Sequence, residues 1–326
     1  MTVEFQPNGI YLPEIDLWLD PRDTCHRAWL SHAHSDHAAG LHHEVWATPA
    51  TLRLYRMRWA EQPDSPQRLH AVDYGGSFQL GGACCTVLPA AHILGSAQLL
   101  IEYRRERLLY TGDIKLLPPL CGRVTEVVPC DRLIIECTFG LPIYHFLTRD
   151  EARRRIIDFA SEALADQATP VFLGYPLGRG QEVAHVLCQA GIPTAVHGSI
   201  ARFIPVYEDY GYAFPGWQPY DARQFYGKAL VVAPSLRNVL EASPRETRIA
   251  YVSGWAAVSS ARTRARAEEL IPYSDHASFP ELLEIIQRAN PRRVDLVHGY
   301  TEAFASILRA RGFDAHAAAT LTEVQE

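Results

Sequence analysis

No stretch of this sequence approaches the roughly 18 consecutive apolar residues that a transmembrane helix requires. The opening residues, MTVEFQPNGIYLPEIDLWLD, lack the basic start and apolar run of a secretory signal and carry acids and a proline instead. A cytoplasmic protein with no membrane partner is therefore expected. The seven cysteines form no CxxC pair, so neither a cysteine-built zinc site nor a disulfide framework is expected. They read as small buried hydrophobes in a reducing compartment. An excess of positive charge is also missing. The formal net charge is −6, which argues mildly against coating nucleic acid by charge alone. It does not exclude a nuclease, because bound divalent cations offset charge where it matters. Internal repeats and low-complexity tracts are absent as well.

What is present is an ordinary globular composition over 326 residues, with 48% hydrophobic and 21% charged residues. That length suits two domains, or one large domain with an insertion. The first part reads as short strands separated by turns, including a hairpin of 98–103 and 107–111 around Arg104–Glu106, and a buried strand at 132–136. The texture changes near Thr148, where Thr148 and Glu151 form a T-x-x-E capping box ahead of a helical pattern to about Ala165. A strand at 170–174, the loop PLGRGQ and a helix from about Gln181 follow; residues 200–227, rich in aromatics, Pro and Gly, read as an irregular loop region. Strands return at 230–233 and 249–253. The last part carries helices at 279–289 and from Thr301, with a strand at 294–297 between them. This alternation predicts an α/β class. The domain reading is 1–147 and 251–326 as two parts of one domain, with 148–250 as an insert.

The most specific signal is HAHSDH, in which His32, His34, Asp36 and His37 occupy four of six positions straight after an apolar strand. Imidazole and carboxylate side chains suit zinc, manganese and similar ions. His32 and His34 point the same way in an extended loop and can hold one ion, while Asp36 and His37 can turn toward a second. A lone histidine is more often a satisfied core residue than a ligand, but four ligand-type residues together are hard to explain that way. Other predicted strands also end in titratable residues, namely Asp20, His92, Asp113, Glu136 and His298. Strand ends are where α/β proteins gather sites. A carboxylate such as Asp113 can bridge two ions about 3.5–4 Å apart, and such a pair makes hydroxide available at neutral pH. Asp20 is a candidate to orient a ligating histidine from outside the ligand set.

The motif at 32–37, followed by His92 and Asp113, resembles the metallo-β-lactamase superfamily. Three further segments resemble its β-CASP nuclease branch: IIECTFG with Glu136, IPYSDHASF with His276, and DLVHGY with His298. The resemblance implies an αβ/βα metallo-β-lactamase sandwich with an inserted β-CASP-like α/β cap. By position it implies that His32, His34 and His92 hold one metal, that Asp36, His37 and His298 hold the other, and that Asp113 bridges. Asp36 also stands among the implied catalytic residues, and His276, assisted by Glu136, would protonate the leaving oxygen. The implied cofactors are two divalent ions, zinc first and manganese second. PLGRGQEV resembles the cap-domain loop of these nucleases. Gly178, Arg179 and Gly180, with Ser274, are the implied phosphate or nucleic-acid contacts; an ordinary strand–helix turn is the other reading of that loop.

PYSDHAS and SGWA at 253–256 are similar to the Artemis-type repair nucleases, whereas His298 is typical of RNA-processing members such as RNase J. The compact chain with both features is most similar to the bacterial DNA-ligase-associated exonucleases. That resemblance implies a DNA exonuclease acting in repair beside an ATP-dependent DNA ligase and a helicase; single-stranded or tailed DNA is the expected substrate, and a pocket for a terminal phosphate would suit digestion from 5′ to 3′. An RNA-processing nuclease and a small-molecule metallo-hydrolase are the alternatives, together with a binding module that has lost its metals. Arg153–Arg155 and Arg262, Arg264 and Arg266 are available to a strand, with Trp217, Tyr220 or Tyr226 as stacking candidates; a solvated face and cap packing are the plainer readings.

Overall fold

A computed structural model describes residues 1–59, 68–236 and 246–318. The chain forms two compact units. One comprises Met1–Pro118, Gly122–Pro142 and His276–Glu326; the other comprises Pro119–Cys121 and Ile143–Asp275. The insert therefore extends beyond residue 250, where the sequence reading ended it. The physical reason is strand pairing. Thr247–Ser253 and Glu269–Pro272 pair in parallel with each other, and the first also pairs with Thr169–Leu173 inside the insert. No glycine- or proline-rich break marks residue 250, and the chain returns to the first unit at His276.

The first unit holds two six- and seven-stranded sheets. In one, six strands from Glu4–Gln6 to Arg68–Ala71 lie in chain order. The other runs Ala315–Ala317, Arg293–Gly299, Arg132–Cys137, Glu106–Tyr110, Ala97–Tyr103, Ala83–Pro89, Ser77–Leu80. Its first four strands pair in parallel and the rest antiparallel. The period-2 geometry of a strand sends alternate side chains to opposite faces. Leu99, Ile101, Leu108 and Ile134 accordingly pack with Leu12, Leu19, Trp29 and Trp46 of the first sheet. Leu100, Leu109, Leu133 and Ile135 face the other way, onto Leu282, Ile286, Phe304 and Leu308 of the helices Phe279–Ala289 and Thr301–Ala310. The helix Pro49–Trp59 covers the outer face of the first sheet through Leu52 and Tyr55. The result is the expected helix–sheet–sheet–helix order. The expected hairpin turns at Arg104 and Arg105, both with positive φ (47° and 68°). Two such residues fit the turn that matches strand twist.

The second unit is built on one six-stranded sheet with the order Gln218–Pro219, Thr194–Val196, Ala229–Val232, Thr169–Leu173, Thr247–Ser253, Glu269–Pro272. Every pairing in it is parallel. Its central strands are buried throughout, which is why they read as apolar runs without alternation. The helix Arg149–Ala165 begins at the Thr148–Glu151 capping box. Residues 200–227 are more regular than expected. They include the short helices Gly198–Ala201 and Ile204–Asp209, and Tyr220 and Tyr226 pack on Phe225. Turns this short give no helical period to read, and Pro205 hides the second by sitting at its first turn. Among the described residues no helix is long and apolar enough to cross a membrane.

Two stability predictions follow from the first unit. Leu308 is fully buried against the second sheet. Leu308→Ala should cost about 2–5 kcal/mol by urea unfolding, the usual range for a core leucine truncation. Glu281 is buried at the start of the helix Phe279–Ala289 and closes a capping box with Ser278. Burial pushes its carboxyl up, but Lys115, the Ser278 hydroxyl and the amides of Leu117 and Ser278 more than offset this and hold it below its ordinary value. A depressed folded-state pKa stabilises the protein above the unfolded value of about 4.3, and that stabilisation is lost as pH falls through the folded value. The stability gap between wild type and Glu281→Gln should therefore narrow on acidification from neutral pH. A gap that stays constant would count against this assignment.

Candidate metal centre

Six strands or strand ends of the first unit deliver the chemistry-bearing residues. Asp20 directly follows the strand Leu17–Leu19, with φ +45°. The HAHSDH loop follows Arg27–Trp29. His92 follows Ala83–Pro89, and Asp113 follows Glu106–Tyr110. Glu136 and His298 are near the ends of Arg132–Cys137 and Arg293–Gly299. Within the HAHSDH loop, the amides of His37 and Ala38 both donate to the His34 carbonyl, at 3.3 and 2.9 Å. That tight turn brings the His37 ring back beside that of His32, with centroids 4.1 Å apart.

A β-bulge aims His298. Glu136 pairs with Val297 and Cys137 pairs with Gly299, so His298 is the extra residue between them. It adopts φ +56°, and Gly299 follows at +73°. A bulge re-aims a side chain in this way, and His298 lies with its ring centroid 5.0 Å from that of His37. Gly299 is required there: a Cβ would lie 2.4 Å from the Cys137 carbonyl oxygen.

Asp113 is the centre of the cluster. Its Oδ2 is 3.4 Å from Nε2 of both His32 and His37, 3.6 Å from His92 Nε2 and 4.0 Å from His276 Nε2. His32, His34, His92 and Asp113 are all buried and offer ligand atoms within 4.8 Å of one another. Asp36 stands on the other side, with Oδ2 3.6 Å from His37 Nε2. Burial pushes the Asp113 carboxyl up, but His37, His276 and His32 outweigh it and hold it well below the carboxylate range. Burial and the neighbouring His37 push His32 well down. On His37 burial acts downward too, but Asp113, Asp36 and Asp20 overcome it and hold the ring well up.

The hydrogen bonds around the cluster fix which ring nitrogens face inward. Asp20, as a carboxylate, only accepts. It takes bonds from the Ser31 amide (2.7 Å), the Ser31 hydroxyl (2.5 Å), His37 Nδ1 (2.7 Å) and the Tyr110 hydroxyl (2.7 Å). His37 Nδ1 therefore carries a proton, and its Nε2 faces Asp113. The Ser31 hydroxyl has given its one proton to Asp20, so at 2.9 Å it accepts from His32 Nδ1. His32 Nε2 is then a bare lone pair. It faces His34 Nδ1 at 3.1 Å, and His92 Nε2 faces the same atom at 3.1 Å. One proton on His34 can serve only one of those contacts, whereas a cation serves all three nitrogens. The donor set thus fits a divalent ion of the zinc type.

A second arrangement adjoins it. Glu136 Oε1 accepts from the Ile114 amide at 3.0 Å and from His276 Nδ1 at 2.8 Å, and its Oε2 accepts from the Thr138 amide at 3.2 Å. His276 Nε2 is left facing the Asp113 side. Asp113, Glu136 and His276 also form a close group of possible ligands, but the Glu136–His276 bond is that of a carboxylate orienting an imidazole.

The expected phosphate contacts in the second unit are arranged differently. Arg179 is buried, with its guanidinium 3.0 Å from both Glu182 and Asp275 and stacked over Tyr273 at 4.7 Å. The Gly178 amide donates to the Gln181 side chain, and the Gly180 amide donates to the Tyr175 carbonyl. Gly180 is small because a Cβ there would meet Ile200 at 2.8 Å. The loop is a packed strand–helix turn in which the Arg179 guanidinium and the amides of Gly178 and Gly180 have partners within the unit. Ser274 is buried in the same unit. The sequence motif could not show this, because Asp275 lies far along the chain from Arg179.

Sequence reasoning missed three supports of the centre. Ser31 and Tyr110 were not singled out, although both flank the motifs. Arg58, on the helix Pro49–Trp59, donates to the carbonyls of Ala33 (3.0 Å), Ala38 (3.2 Å) and His34 (3.3 Å). No local pattern signals an arginine that clamps a loop from another element.

Residues 23–152 match the family described as a beta-lactamase superfamily domain, and residues 260–318 match the Zn-dependent metallo-hydrolase RNA specificity domain. The chain belongs to the metallo-β-lactamase superfamily, in its β-CASP branch. Among its relatives is a probable DNA ligase of Opitutus terrae, 36% identical over 95% of this chain and 30% of the ligase. Another is an RNase, aCSPSF2, of Saccharolobus solfataricus, 22% identical over 85% of this chain and 70% of the relative. This chain thus spans less than a third of the probable ligase's length. A crystal structure of an Enterococcus faecalis protein of unknown function shares the fold, with a TM-score of 0.59, 15% identity, and coverage of 85% of this chain and 76% of that one.

Asp20 orients two inward-facing histidines, so Asp20→Asn should lower zinc affinity about 10- to 100-fold, as loss of such outer partners does. Competition against a chelator of known affinity measures this. Unchanged affinity with the fold intact would contradict the role given to Asp20.

Proposed function

We propose that this chain is a two-metal phosphodiesterase that degrades DNA from an end. The observation that carries the reading is Asp113, ringed by His32, His37 and His92 with the Glu136–His276 pair beside it. In this reading His32, His34 and His92 hold one ion, Asp36, His37 and His298 hold the other, and Asp113 serves both. Zinc fits the donor set, with manganese as the second choice. The ions, when bound, supply a nucleophile usable at neutral pH and offset the charge that builds on the phosphoryl oxygens.

The chain's own groups then act on the proton. Glu136 accepts a hydrogen bond from His276 Nδ1–H and so fixes the orientation of the ring. His276 Nε2 is the atom that can hand a proton to the departing oxygen. General acid catalysis of this kind is worth about 10²- to 10⁴-fold.

DNA is preferred as substrate because the relative sharing 36% identity over nearly all of this chain is described as a probable DNA ligase. The same likeness supports a role beside a DNA ligase; an ATP-dependent ligase and a helicase as repair partners, the cytoplasm, and single-stranded or tailed DNA complete the reading. The alternative, RNA, is favoured by His298 on its bulge and by the RNase likeness. The insert, a whole sheet-based unit, argues against a small-molecule hydrolase. The expected 5′ to 3′ direction loses its basis with the internal pairing of Arg179, so polarity is left to the ends released.

The test is digestion of matched DNA and RNA strands, labelled at either end, with zinc or manganese. DNA should be preferred, and His276→Ala should lose about 10²- to 10⁴-fold in kcat with metal content unchanged. A tenfold preference for RNA, about 1.4 kcal/mol in barrier, would reverse the substrate assignment. Full activity in His276→Ala would remove its role as acid.

A further inference from the structure

The five residues that begin with Asp113 form a junction between three parts of the centre. The Ile114 amide donates to Glu136, and the Ile114 carbonyl accepts from the Ala277 amide at 2.6 Å, beside His276. The Lys115 amide donates at 2.9 Å to the Ala90 carbonyl, at the base of the loop that carries His92. The Lys115 carbonyl accepts from the Thr125 hydroxyl. The amides of Leu116 and Leu117 both donate to Glu281 Oε1, at 3.1 and 2.8 Å. The other oxygen of the same carboxylate accepts from the Ser278 amide (2.9 Å) and hydroxyl (2.6 Å). Glu281 and Lys115 are both buried, at 4% and 1% exposure. An ordinary capping-box glutamate reaches back to its own helix start alone. This one uses one oxygen for the cap and the other for a segment 164 residues away in the chain.

We propose that Glu281 is a positioning residue of the phosphodiester-cleaving centre, its carboxylate setting the separation between the Asp113 loop and the His276–Glu136 pair. Each of its oxygens serves one side of that separation. Its removal deletes no metal ligand but frees the two backbone segments to move apart. Nothing in Glu281 reaches the reacting atoms, so its effect runs through Asp113 and His276. This inference rests on the proposed nuclease reading for its kinetic test, and on geometry alone for its spectroscopic one.

The test uses the full-length zinc-loaded protein and three variants: Glu281→Gln, Glu281→Ala and Leu308→Ala. The leucine variant, in the core beneath the same helix, controls for loss of stability. Kinetics are read on an end-labelled single strand well below the unfolding temperature of each variant. Misplacement of catalytic groups by about 1 Å costs on the order of 100-fold. Both Glu281 variants should therefore lose roughly 10- to 100-fold in kcat with KM changed less than about threefold. Leu308→Ala should keep kcat near wild type. In parallel, nitrogen-detected NMR follows the hydrogen-bonded ring N–H of His276, assigned by its absence in His276→Asn. That signal should shift or broaden in the Glu281 variants and persist in Leu308→Ala. Loss of kcat no greater than in Leu308→Ala, or an unmoved His276 signal, overturns the proposal. If wild type cleaves no phosphodiester, the nuclease reading fails while the NMR arm still decides the positioning role.

Discussion

The buried carboxylate of Asp113 is the constraint on which the rest of the first unit depends. Four imidazole nitrogens come within 4.0 Å of one of its oxygens. Burial opposes charge on Asp113, His32 and His37. A single proton on His34 can also satisfy only one of its 3.1 Å contacts with His32 and His92, leaving the other opposed. Such a cluster does not hold itself together without a cation. It must be held by groups that gain nothing from the chemistry, and that explains how much backbone and outer hydrogen bonding is organised around it. Asp20 holds two rings, Arg58 holds the carbonyls of the loop that carries four candidate ligands, and Glu136 holds His276.

The same constraint explains where the backbone is unusual. Asp20 and His298 adopt positive φ, a region costly for side chains other than glycine. Gly112, with φ +55°, lies against Ser31, where a Cβ would come within 2.4 Å of the serine side chain. These positions lie at the edge of the cluster, where a strand must stop and turn a side chain inward within one or two residues. Two packed sheets with helices on their outer faces supply the burial that offsets such local costs.

Much of this was legible in the sequence, for reasons particular to each element. HAHSDH is local, so its ligand character survives without knowledge of the fold. The Thr148–Glu151 box and the helix Phe279–Ala289 are local as well. The gathering of Asp20, His92, Asp113, Glu136 and His298 was readable only as a pattern of strand ends. Their convergence on one point depends on strand order, which no local signal carries. The end of the insert was misread because Thr247–Ser253 and Glu269–Pro272 look like any buried strands. Only their pairing reveals the sheet to which they belong. Arg179 left two readings open for a related reason. A glycine-flanked arginine at a helix start looks like an anion site until Asp275 is found beside it.

Arg179 also bears on how an acidic chain could meet a polyanion. With a net charge of −6, attraction cannot come from the total charge. Arg179 and Lys115 are buried, and carboxylates compensate both within their own units. Cations facing a strand must therefore be surface ones. Arg153 and Arg154 on the helix Arg149–Ala165 are exposed, as are Arg262 and Arg264 on Ser260–Ala265 and Arg266 just beyond it. Arg155, beside the first two, already bonds Glu269 at 2.9 Å. Surface arginines of this kind act locally, since charges more than about a Debye length apart are largely screened. For the proposed nuclease, the salt dependence of binding would count the phosphates that such surface arginines neutralise, whatever the sign of the whole chain.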